Sequence, residues 1–297
     1  MSTLRVLAYN ICLGGADRVE AIGEVLAHVN ADVVALTDAD DERVVTTLAD
    51  RLGMHHIWAR GSGDRHIATL SRFPIAEWHV YNTPPLTQAV LETQIELPHP
   101  LPFSPDGDPS TSLRSAQDAA STSLRSVQGA AGWRGEVVVF NVHLLPYLLL
   151  PFEIRRWQAV GKLLEVIRGR RPGAHLILGD LNAIAPGDRV LQRNNPPRMR
   201  RVMRLQFNLI FRLAVPRLIR AGYLDCFRRM HPNEAGFTWM PGNRTTRYDY
   251  ILADPILAHA LRACRVVDDI AAVNVASDHF PLMAEFELDS LAAQELS

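Results

Sequence analysis

Short apolar runs that break off into polar clusters restrict most tightly what this chain of 297 residues can fold into. Residues 137–140 run into Asn141-Val142-His143, and Leu176-Ile177-Leu178 runs into Gly179-Asp180-Leu181-Asn182. Arg247-Tyr248-Asp249-Tyr250 opens onto Ile251-Leu252-Ala253, and Ser277-Asp278-His279 stands just before the strand-like segment 281–288. Runs this short and this apolar read as strands buried on both faces, so their ends are where polar side chains reach the surface. Carboxylates, amides and imidazoles delivered from several strand ends point to one hydrolytic site assembled at a sheet edge.

The rest of the chain fits that frame. A strand at 4–9, a helix at 18–29 and a strand at 31–36 form a β-α-β rhythm that recurs at 136–142, 153–167 and 175–178. Between them, 66–71, 79–81 and 92–97 are short strands separated by Pro-rich turns, and the C-terminal part adds 248–253, 263–267 and 281–288. Many short strands with intervening helices predict packed sheets covered by helices. With 47% hydrophobic residues the chain has material for a large core, and a single domain over 1–297 is expected.

Two stretches interrupt the pattern. Residues 104–132 contain a tandem duplication, 110–120 repeated at 121–131, polar and small enough to predict a flexible surface insert. Residues 188–220 carry nine arginines and no acid between Asp188 and Asp225. Arg198, Arg201, Arg204, Asn208 and Arg212 share one helical stripe, and Met199, Val202, Met203, Ile210, Leu213 and Ala214 take the other side. This predicts a basic amphipathic helical insert, either packed on the core, recruiting phosphate beside the site, or touching an anionic membrane through 198–220.

Net charge of −1 excludes a globally basic nucleic-acid-coating protein. Cys12, Cys226 and Cys264 lack metal-ligand or redox spacing and read as reduced thiols. No basic n-region or apolar h-region precedes the first strand, so a cytoplasmic protein is expected.

The polar clusters carry the chemistry. Asp180 and Asn182, two residues apart, would point to the same side if extended geometry continues past Gly179. The carboxylate would take a proton from water, and the amide would hold a phosphoryl oxygen or a water. Asp278 would bind a cation while the adjacent His279 serves as acid, base or hydrogen-bond donor. Asp249 needs an imidazole to orient and keep protonated, and His143 is a second imidazole candidate. Asn10 and Asp38 close the first two strands at the same edge. Gathering Asp38, Asp180, Asp249 and Asp278 is repulsive without a cation, and an oxygen-rich ligand set predicts Mg²⁺ or Mn²⁺ rather than Zn²⁺.

Taken in order, Asn10, Leu36-Thr37-Asp38, Ser71-Arg72-Phe73-Pro74-Ile75, Asn141-Val142-His143, Gly179-Asp180-Leu181-Asn182, Arg247-Tyr248-Asp249-Tyr250 and Ser277-Asp278-His279 resemble the endonuclease/exonuclease/phosphatase superfamily from about residue 4 to 288. The resemblance implies an α/β (α+β) DNase I-like fold, a four-layer α/β/β/α sandwich with two central mixed sheets. It also implies Mg²⁺-dependent cleavage of a phosphoester by in-line attack of water. By motif, Asn10, Asp38 and Asp278 would serve the metal, Asp180 the attacking water and Asn182 the phosphate. His279 paired with Asp249 would stabilise the transition state, and His143 would act on the leaving group or a non-bridging oxygen.

The chain departs from that pattern at Asp38, where the family carries a glutamate. A strand-end shift, a bridging water or a contribution from Asp40 would compensate. His66 is expected to line the cleft. Substrates open to such a monomeric enzyme are a nucleic acid, a phospholipid or a small phosphodiester. The alternative is a non-catalytic protein on the same scaffold that binds nucleic acid or anionic lipid.

Overall fold

A computed structural model of the chain describes residues 3–86, 88–98, 135–170 and 172–289. The duplicated segment 104–132 lies outside the described residues. Twelve strands among them form two six-stranded mixed sheets. The first contains β1 (Thr3–Asn10), β2 (Val33–Thr37), β3 (His55–Ala59), β4 (Ile67–Ser71), β11 (Leu261–Val266) and β12 (Leu282–Glu287), in the order β11-β12-β1-β2-β4-β3. The second contains β5 (Ile75–Tyr81), β6 (Ala89–Glu96), β7 (Glu136–His143), β8 (His175–Asp180), β9 (Leu224–Asp225) and β10 (Asp249–Ala253), in the order β5-β6-β7-β8-β10-β9. Only β1 with β2 and β7 with β8 pair in parallel.

Alternation of side chains along the strands builds the layers. Leu4, Val6 and Ala8 of β1 meet Val137 and Val139 of β7, Leu176 and Leu178 of β8 and Ile251 of β10 in a core between the sheets. The intervening residues face outward: Leu7 and Tyr9 pack under the helices Val19–Val29 and Glu42–Leu52, and Phe140, Ile177 and Leu252 under Leu150–Arg170. Strands covered on both faces need the near-continuous apolar runs seen in the sequence. The architecture is the expected four-layer α/β/β/α sandwich.

The same period of two fixes the site. Counting onward from the inward-facing residues, Asn10, Asn141, His143, Asp180 and Asp249 all fall on the inner faces, at one end of the intersheet core. Pairing aligns them, with His143 opposite Asp180 and Asp180 opposite Asp249. Gly179 makes this possible by close approach rather than by turning the chain. It lies within β8 at φ 128°, and a Cβ there would stand 2.2 Å from the Val142 carbonyl oxygen.

The basic segment differs from a single long helix. It forms the helices Pro197–Leu205 and Ala214–Arg220 with an irregular link between them, in which Phe207 and Asn208 take left-handed φ of 57° and 58°. The arginine stripe is thereby divided. Arg212 turns inward to donate to the carbonyls of Ala185 (3.2 Å) and Asp188 (3.1 Å), while Arg198, Arg201 and Arg204 stay exposed. The expected inner side does pack inward through Met203, with Met199 and Ile210 against it.

Candidate active site

A cleft of about 180 Å³ opens at the end of the intersheet core, lined by Asn10, Asp38, His143, Asp180, Asn182, Asp278 and His279 together with Arg65, Gln88, Pro146, Tyr147, Met199, Trp239 and Tyr248. Seven of the eight residues expected from the sequence thus line one cavity. The eighth, Asp249, is fully buried behind it and accepts a 2.8 Å hydrogen bond from Nδ1 of His279.

Asp180 is the centre of the arrangement. One carboxylate oxygen accepts from Nδ2 of Asn10 at 2.9 Å, and the other from the backbone N–H of Asn182 at 2.8 Å. Nε2 of His143 lies 3.8 Å away and Nε2 of His279 3.9 Å. Burial, and then the nearby Asp249, push the Asp180 carboxyl up to about 6. His279 is driven the opposite way on balance. Burial alone would lower its pKa, but Asp249, by charge and hydrogen bond, with Asp180 and Asp278 beyond, pushes it up to about 10.

Asp180, Asp249 and His279 present ligand-type atoms within 4.8 Å of one another. The Nδ1 of His279 is taken up by its 2.8 Å hydrogen bond to Asp249, so only its Nε2 is left to face the cleft. A further carboxylate, Asp38, lines the same cleft. Oδ1 of Asp38 is buried without a hydrogen-bond partner and stands 3.5 Å from Nδ1 of His143, which is equally unpartnered. A buried carboxylate oxygen without a hydrogen bond fits a hard cation, although the Arg65 guanidinium already stands within ion-pair distance of it.

Asp38 has left the strand, at φ 51°, and Arg65 approaches its Oδ1 to 3.4 Å. Asp40, the other acid expected near this position, is not among the residues lining the cleft. It lies off the cleft, accepting from the backbone N–H of His66 at 2.8 Å and from Arg65 at 3.1 Å. The expectation that His66 lines the cleft is also corrected. Its ring packs edge-on against Trp58 with centroids 5.0 Å apart, and its neighbour Arg65 lines the site instead.

Trp239 was not legible in the sequence. Its segment pairs with the backbone of His279, and Phe280 N–H donates to the Thr238 carbonyl at 2.7 Å. This docking brings the indole N–H to within 3.3 Å of Asp278. Behind the site, Arg247 is completely buried and forks between Asp225 and Asp188, with contacts of 2.5–3.2 Å, under the ring of Tyr250. Arg247 therefore anchors the start of β10 rather than taking part in the chemistry.

Comparison with known proteins agrees with this geometry. Residues 7–279 match the model of the Endonuclease/Exonuclease/phosphatase family. Exodeoxyribonuclease III of Haemophilus influenzae is 33% identical over 122 residues, which cover 38% of this chain and 45% of that protein, less than half its length. Among solved structures, an AP endonuclease from Archaeoglobus fulgidus superposes with a TM-score of 0.65 at 17% identity, covering 96% of this chain and 99% of the other. A 3′ phosphatase, NExo, from Neisseria bound to a product DNA hairpin gives 0.64 at 20% identity, covering 96% and 99%. With the family model spanning both sheets and the strand-end residues between them, the chain belongs to the Endonuclease/Exonuclease/phosphatase family.

Proposed function

We propose that the protein hydrolyses a phosphoester with the help of a divalent cation, by in-line attack of water on phosphorus. The observation that carries this reading is geometric: Asp180 faces one cleft with the imidazoles of His143 and His279 3.8 and 3.9 Å from it, and Asp249 backs His279 at 2.8 Å, an arrangement that drives the Asp180 carboxyl and the His279 imidazole both upward. At neutral pH Asp180 is a base and His279 a cation, the complementary pair that hydrolysis of an anionic ester requires.

In this reading Asp180 orients the attacking water and takes its proton. The P–O bond to the leaving group breaks on the opposite side, and the departing oxygen carries the electron pair. His279, held by Asp249, donates a charged hydrogen bond to the phosphoryl oxygens as negative charge gathers there. Asn182 is braced by donating to the Leu144 carbonyl at 3.0 Å, leaving its other amide hydrogen for the phosphate. His143 faces the leaving group or a non-bridging oxygen. Asn10, Asp38 and Asp278 would hold Mg²⁺ or Mn²⁺, which when bound polarises a phosphoryl oxygen and offsets the gathered negative charge.

The test is hydrolysis of a soluble activated phosphodiester and of abasic-site duplex DNA, since the relatives named above include DNA enzymes. Chelation should lower the rate at least about a hundredfold, with Mg²⁺ or Mn²⁺ restoring it. Tight binding to either substrate without turnover, across cations and pH, would instead support the non-catalytic reading, which the guanidinium of Arg65 beside Asp38 favours.

The pH dependence follows from the same two groups. A carboxyl raised to about 6 must lose its proton to act, so kcat/KM should climb as pH rises through about 6. An imidazole raised to about 10 must keep its proton, so the rate should fall as pH passes about 10. A profile that is flat across both regions would remove these two residues from the chemistry.

A further inference from the structure

We propose that the surface formed by residues 198–209 and the start of the helix Leu150–Arg170 docks the protein on an anionic phospholipid bilayer, with the cleft beside the lipid headgroups. Two observations meet there. The first is charge: Arg198, Arg200, Arg201 and Arg204 are all exposed, in a stretch without acid from 189 to 224, on a chain whose net charge is −1. The second is apolar side chains that the fold leaves in water. Leu205 is 82% exposed and Phe207 86%, with Leu209 at 55%.

These side chains are held outward by the chain's own hydrogen bonds. Gln206, between them, donates to the Leu148 carbonyl at 2.8 Å and to the Leu209 carbonyl at 2.8 Å, so the link is tied to the entrance of the long helix. Gln192 holds it from the other side, donating to the Asn208 carbonyl at 2.8 Å. On the long helix Leu150, Ile154 and Trp157, at i, i+4 and i+7, add an exposed apolar stripe. Basic residues flanking exposed aliphatic and aromatic side chains fit a surface with anionic headgroups over hydrocarbon. A DNA duplex offers the phosphates but no apolar layer for Leu205 and Phe207.

The patch is continuous with the cleft. Met199, on the arginine-bearing helix, and Tyr147, just before the long helix, both line it. A bilayer met by this surface would therefore lie at the mouth of the site. The assignment of lipid headgroups as the phosphoester source rests on the hydrolytic reading; docking itself does not.

Docking is measured without turnover, by co-sedimentation with phosphatidylcholine vesicles with and without one-third phosphatidylserine, in the presence of a chelator. The wild-type protein should bind the serine-containing vesicles and leave the neutral ones. Leu205→Ser with Phe207→Ser, and separately Arg200→Gln with Arg204→Gln, should each weaken binding by at least about tenfold. Both variants should keep the wild-type melting temperature and the rate on a soluble phosphodiester. The proposal is overturned if the wild-type protein ignores phosphatidylserine vesicles. It is equally overturned if the Leu205 and Phe207 variant binds them unchanged, or if only duplex DNA competes for the arginines. Vesicle binding with no hydrolysis of any phosphodiester would sink the enzymatic reading and leave docking intact.

Discussion

Asp180→Asn and His279→Gln should each lower kcat for phosphoester hydrolysis by about 10²–10⁴-fold, the range for losing a general base or a charged transition-state donor. Asparagine preserves the shape of Asp180 but keeps only one of its two acceptor oxygens, so it can take the hydrogen bond from Asn10 or from the Asn182 amide and not both, and a thermal melt separates lost basicity from lost packing. Glutamine at 279 leaves Asp249 buried without its imidazole, so circular dichroism and a thermal melt should accompany the rate. The double variant should lose little beyond the worse single one, because residues acting as a unit are non-additive. Wild-type turnover in both single variants would show that the cleft hydrolyses its substrate by other means.

Arg247→Met should destabilise the fold by about 3–5 kcal/mol, the cost of removing one partner from a buried charge cluster. Its guanidinium is the shared donor for Asp188 and Asp225, both buried. Arg228 still reaches Asp188 at 2.7 Å, so the exposed deficit falls mainly on Asp225. Adding Asp225→Asn should therefore return part of the loss. Urea unfolding monitored by tryptophan fluorescence measures both, and a shift below about 1 kcal/mol would mean that water reaches and solvates the aspartates.

The site was legible because strand periodicity and catalytic chemistry coincide here. Asp180, His143 and Asp249 end strands whose apolar runs mark them clearly, and inward parity places all three at one seam. What lay outside the strands was not legible. Arg65 and Trp239 reach the cleft from loops, where no periodicity says which way a side chain points. Strand β3 was missed because it pairs on one side only and opens with His55-His56, lacking the apolar run of a covered strand. The helix Glu42–Leu52 is marked locally by Asp41, whose side chain caps Arg43 N–H, a signal that adjacent acids at 38 and 40 obscured. In the basic insert the helical periodicity of the sequence runs on through 206–213, but Gln206 and Arg212 bond to backbone carbonyls elsewhere and the helix breaks.

Asn141, one of the inward residues of β7, has a consequence for motion. Its Nδ2 donates to the carbonyls of Leu36 (3.0 Å) and Ala68 (2.8 Å), on two adjacent strands of the opposite sheet. Apolar side chains between sheets resist separation but distinguish poorly between one lateral offset and another, because their attraction has no direction. Hydrogen bonds do distinguish, and this amide fixes the offset within a turn's length of the cleft, much as a dowel aligns two plates that glue alone would let creep. With Asn10 reaching Asp180 across the same seam, a slide of one sheet over the other would break the site's geometry before it disturbed the core.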